Sequence, residues 1–200
     1  MLVCAPPRTG ATKYCLDLQT ETGLEFIGEL NPTYITSCGD SNRKAPNHET
    51  SFQPDISKEQ FVSYLTNPEK YIVLCNQSPH LLVHYSDLVI LRNDLESNLL
   101  SIANFFIKVM PYLGAEGIIQ HVSLSHQSIY AMLSYLEVHS KPIVWYEDHF
   151  NMSGTRTDYI DNHKNGKVIK RFIKSLIKSN DATFMLKNLY DTSNRLKDSV

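Results

Sequence analysis

The sequence is short of the features that would assign it quickly. It has a single Trp, only eight Gly, and four cysteines at scattered positions. Those cysteines (Cys4, Cys15, Cys38 and Cys75) form no Cys-x-x-Cys pair and no Cys/His ligand spacing, so neither a zinc site nor a disulfide framework is expected, and free thiols in a reducing compartment are the reading. An excess of one charge is also missing: net charge is -2 and the pI is near 6.4. That balance argues against a general nucleic-acid or polyanion binder while allowing a local basic pocket for one anionic ligand. The apolar run at the start is broken by Pro6, Pro7 and Arg8, unlike a signal peptide. No stretch approaches the roughly eighteen apolar residues of a membrane span. A cytoplasmic protein with neither nucleic-acid nor membrane partners is the expectation.

What is present is ordinary globular composition. With 42% hydrophobic and 20% charged residues in a 200-residue chain, there is enough apolar surface for one core. No repeat, low-complexity tract or Gly/Ser linker divides the chain, so residues 1–200 are expected to form one domain, with 179–200 a weakly patterned tail that docks or frays. Short apolar runs alternate with helical patterns, which predicts an α/β three-layer sandwich around a mainly parallel sheet of about five strands. The expected strands are Leu2 to Ala5, Glu25 to Leu30, Tyr71 to Cys75, Leu88 to Leu91 and Ile143 to Tyr146. Helices are expected from Gly10 to about Thr22, from a Ser57/Gln60 capping box to Leu65, from Asp94, from about Ser125 to Val138, and from Lys167 to Lys178. Residues 31 to 56, polar and rich in Pro, Asn and Ser, read as a long loop, functional or mobile.

The segment Ala5-Pro-Pro-Arg-Thr-Gly-Ala-Thr-Lys13 joins the first strand to the first helix. A turn of this kind aims backbone N–H groups and the positive end of a helix dipole at one point, which favours an anion. Gly10 permits close approach of a ligand, Thr9 and Thr12 add hydroxyl donors, and Arg8 and Lys13 add charge. The pattern is not a Walker A loop, because Ala11 follows Gly10 where Lys is required. On the residues alone, a phosphate or sulfate cradle and a plain strand–helix turn with surface charges both remain open.

A second segment, Val89-Ile-Leu-Arg92-Asn-Asp-Leu-Glu-Ser-Asn-Leu-Leu-Ser101, ends an apolar strand in Arg and carries Ser on the following helix. Arg offers a fixed bidentate cation and Ser a short donor. A third, Val144-Trp-Tyr-Glu-Asp148, follows the fifth strand. Taken in order, the three segments resemble the sulfotransferase family, closest in pattern to the bacterial trehalose type. The loop Pro7-Arg8-Thr9-Gly10-Ala11-Thr12 is similar to that family's phosphosulfate-binding loop, and Ala11 departs from it by losing a hydroxyl.

The resemblance implies a P-loop NTPase-like fold and a metal-free transfer of a sulfuryl group from 3′-phosphoadenosine-5′-phosphosulfate to a hydroxyl or amine acceptor, with carbohydrates among the candidates. It implies that Arg8, Thr9, Gly10, Ala11, Thr12 and Lys13 hold the donor's phosphosulfate. Arg92 and Ser101 would hold its 3′-phosphate, with Ser97 as the fallback. Arg8 would stabilise the leaving group, and Glu29, at the end of the second strand, would be the base, with His80 its rival. Glu147 and Asp148 are expected to hold neighbouring loops. The basic helix carrying Lys167, Lys170, Arg171, Lys174 and Lys178 reads as a solvated face. A Mg-ATP-dependent P-loop kinase and a catalytically degenerate nucleotide-binding protein are the alternatives.

Overall fold

The computed structural model describes residues 1–29, 62–64, 66–76, 78–152 and 154–197. Five strands, β1 (Leu2–Cys4), β2 (Glu25–Glu29), β3 (Tyr71–Cys75), β4 (Leu88–Leu91) and β5 (Ile143–Trp145), form one sheet in the order β2-β3-β1-β4-β5. Every pairing is parallel. Around the sheet lie α1 (Ala11–Thr22), α2 (Leu95–Val109), α3 (Ala115–Val138), α4 (Tyr146–Phe150), α5 (Asp158–Asp161), α6 (Gly166–Lys178) and α7 (Ala182–Lys197). The result is the expected α/β sandwich. Leu30, the loop 31–56 and the capping box at Ser57 lie outside the described residues.

The strands are short, and the three central ones, β1, β3 and β4, are buried on both faces, as expected inside a parallel sheet. Val3, Ala5, Ile72, Leu74 and Ile90 pack on one face against Ala11 and Cys15 of α1. Val89, Leu91 and Trp145 point the other way, into the larger core formed by α2, α3, α6 and α7. The helix after β1 therefore covers one face and the helix after β4 the other. Since β1 and β4 are neighbours, the chain reverses its winding between them. Crevices of this kind, outside the carboxyl ends of the strands, are where open parallel sheets bind ligands.

Several boundaries differ from expectation. The helix expected from Ser125 begins ten residues earlier, at Ala115, because Ile118 and Val122 continue its buried stripe. Within the tail expected to dock or fray, Ala182–Lys197 is a helix that buries Ala182, Met185 and Leu186. Tyr146 leaves the fifth strand to open α4. Two 3-10 turns, Pro79–Leu81 and Val83–Tyr85, carry the chain from β3 to β4. Among the described residues no helix is long and apolar enough to cross a membrane.

Candidate functional site

The loop after β1 is tied down along its length. Ala5 N–H donates to the Cys75 carbonyl (3.0 Å), the buried Thr9 hydroxyl to the Pro6 carbonyl (2.9 Å), and Asn98 Nδ2 of α2 to the Pro7 carbonyl (2.9 Å). Arg8 and Gly10 both take positive φ, 68° and 71°. For Arg8 this is the strained left-handed region, a cost that clusters at functional sites. At Gly10 a Cβ would meet the rings of Phe150 (2.7 Å) and Tyr146 (2.9 Å), so glycine is required twice, by the turn and by the aromatic wall from α4. The first turn of α1 has no acidic residue and its cap no side-chain hydrogen bond, leaving N–H groups for an anion.

The expected site residues divide into two sets. Arg8 is an exposed residue whose guanidinium lies over the Phe105 ring, 5.0 Å from the centroid. Desolvation of the guanidinium lowers its pKa; the charges of Glu29 and Tyr146 oppose that shift, and Arg92 adds to it. Arg8, Glu29 and Arg92 are therefore within electrostatic reach of one another, and an arginine remains cationic regardless. Glu29 reaches the same place from β2, where its Oε1 accepts from the Thr12 hydroxyl at 2.6 Å. Its charge, together with burial as the larger cause, pushes the Cys15 thiol up to about 12.

Arg92, the residue that follows β4, is only 4% exposed. Its Nε donates to Glu147 Oε1 (3.2 Å), its Nη2 donates to the Gly154 carbonyl, and its plane lies 4.5 Å over the Tyr146 ring. The second oxygen of Glu147 accepts from Asn93 N–H (2.9 Å), so Glu147 holds the end of β4 as expected. Asp148 accepts from the Tyr190 hydroxyl (2.9 Å) and holds α7.

The others fall elsewhere. Lys13 turns to solvent and pairs with Asp17 one turn along α1. Ala11 is a core residue packed on the sheet, which explains why a hydroxyl there is dispensable to the fold. Ser101 is partly buried on α2 and shares no hydrogen bond with Arg92 among the described residues. The fallback, Ser97, donates to Asp94 (2.5 Å) within the N-terminal cap of α2. His80 contacts Ser128 of α3 through Nδ1 (2.7 Å), and burial lowers its pKa.

Compared with protein-family models and with curated proteins, the chain matches none. The arrangement itself offers a cation in a strained loop, uncapped helix N–H groups, a carboxylate held by a hydroxyl, and a second, anchored cation across the crevice. Asn98, Tyr146 and Phe150 complete it, and neither spacing nor motif signals the roles of Asn98 or Phe150. Asn76, which follows β3, adds a buried Oδ1 with no hydrogen-bond donor among the described residues.

Proposed function

We propose that the chain is a sulfotransferase using 3′-phosphoadenosine-5′-phosphosulfate as donor and a hydroxyl or amine as acceptor. The observation that carries this reading is the Thr12–Glu29 hydrogen bond, which puts a carboxylate beside the Arg8 loop. Sulfuryl transfer needs a base and an anion-stabilising group at one point, and this turn brings the two together.

In this reading the loop N–H groups and Arg8 hold the phosphosulfate, and Glu29 takes the proton from the acceptor as its oxygen or nitrogen bonds to sulfur. The bond from sulfur to the phosphate oxygen breaks in line, and Arg8 stabilises the charge left on that oxygen. The products are the sulfated acceptor and adenosine 3′,5′-bisphosphate. Thr12 keeps Glu29 oriented, and Glu147 and Tyr146 fix Arg92 as the positive wall facing the nucleotide's 3′-phosphate. The role first given to Lys13 passes to Arg8 and the backbone.

The test is calorimetric binding of adenosine 3′,5′-bisphosphate, compared with ATP plus Mg²⁺. Metal-independent binding is expected, weakened about ten- to hundred-fold in Arg8→Ala, the scale of a lost charged hydrogen bond. Preference for Mg-ATP would favour a kinase instead. Bisphosphate binding without turnover in an acceptor screen would leave a non-catalytic nucleotide-binding protein.

A further inference from the structure

The near-neutral composition conceals an uneven placement of charge. Lys164, Lys167, Lys170, Arg171, Lys174 and Lys178 are six of the 19 Lys and Arg, and residues 164–178 contain no Asp or Glu. The rest of the chain keeps 13 cations against 21 anions. All six lie in or just before α6, whose inner face buries Ile169 and Ile173 in the core, so the helix cannot roll to hide them. At 3.6 residues per turn, Lys167, Arg171, Lys174 and Lys178 fall within about 60° of arc, in one row opposite that buried face. All four are exposed, and none makes a salt bridge among the described residues; only Lys170 is paired, with Asp161.

We propose that this outer row of α6 docks the protein on an anionic lipid surface. The arrangement is locally unfavourable to the helix. Lys167–Arg171, Lys170–Lys174 and Lys174–Lys178 are like charges four residues apart, and the first turn carries Lys167 with no acid to meet the helix dipole. An anionic partner removes each of these conflicts. The shape selects among partners: a row along the crest of a convex helix meets a plane along its whole length, whereas a chain-like polyanion needs a groove to hold it. The chemistry agrees, because three of the four cations in the row are Lys, point charges suited to a fluid headgroup layer rather than to the bidentate geometry Arg provides. Val168, 51% exposed, adds apolar surface beside the row.

The inference is independent of the sulfotransferase reading and departs from the expectation of no membrane partner. Its test is co-sedimentation of the full chain with phosphatidylcholine vesicles, with and without phosphatidylserine, at low and high salt. Binding is expected only to the anionic vesicles and should weaken with salt. Each cation removed should cost roughly five-fold in partitioning, so Arg171→Gln/Lys174→Gln should lose more than about ten-fold. Lys70→Gln/Lys187→Gln makes the same change in net charge away from the row and should bind almost as wild type. Thermal unfolding by circular dichroism checks that both variants fold, and relief of repulsion should leave the row variant no less stable. Equal binding to neutral vesicles, an unchanged row variant, or an equal loss in the control variant would overturn the proposal. So would absence of vesicle binding; if a labelled single-stranded oligonucleotide then bound through the row, the surface would be reassigned to nucleic acid.

Discussion

Replacing Gly10 with Ala should cost the fold about 2–4 kcal/mol. Two effects contribute. A residue with a Cβ held at φ 71° loses roughly 1–2 kcal/mol to steric crowding in the left-handed region. The new methyl would also lie 2.7 Å from Phe150 Cε2 and 2.9 Å from Tyr146 Cδ2, and overpacking of that kind costs about 1–3 kcal/mol. Against these, alanine narrows the unfolded ensemble and returns about 0.4–1 kcal/mol. Urea unfolding of the ligand-free protein measures the sum, and for a chain of this length Tm should fall by about 5–15 °C. The two effects separate in a double-mutant cycle with Phe150→Ala, which leaves the backbone strain and removes the nearer clash. A favourable coupling of about 1 kcal/mol is expected. A total loss under about 1 kcal/mol, or zero coupling, would refute the claim that the loop is pressed against the α4 rings.

Three further outcomes follow from the same geometry. Glu147→Ala strands the buried Arg92 cation and should destabilise by about 3–5 kcal/mol in denaturant titration, much of it recovered in Glu147→Ala/Arg92→Met. Gly166→Ala should be severe, about 3 kcal/mol or more, because its Cβ would sit 1.9 Å from the Ile160 carbonyl oxygen; Gly23→Ala, with open space around it, should lose only the strain of its positive φ, about 1 kcal/mol. Burial, outweighing its hydrogen bond with Asn180, holds the His126 pKa below the usual 6.5, so the unfolded chain binds more protons as pH falls through that value. Stability should therefore be fully present above about pH 6.5 and decline below it, and His126→Gln should flatten that part of the profile measured by Tm against pH.

The sheet was legible because its central strands β1, β3 and β4 are compact apolar runs between turn residues, with burial on both faces leaving no alternation to misread. Helix ends were harder. Ile118 and Val122 extend the α3 stripe backwards, but Gly117 and the β-branched residues around it weaken the local helical signal. The α7 positions Ala182, Met185, Leu186, Leu189 and Tyr190 hold helical spacing, although the exposed Phe184 blurs the pattern. At the site, Arg8 and Glu29 could be placed from topology, because parallel strands gather their carboxyl ends on one edge. The direction of a side chain was not available from spacing: Lys13 finds Asp17 on its own helix, and Arg92 finds Glu147 from a segment 55 residues later.

That long reach has a consequence for how the protein is made. The loop is synthesised well before α4, yet the rings that press on Gly10 and the carboxylate that orients Arg92 belong to that helix. A ribosome-bound chain halted before Tyr146 can pair β1 with β3 and β4 but has nothing to close the crevice. Ligand competence should thus appear abruptly, when α4 leaves the exit tunnel, rather than growing with each added element.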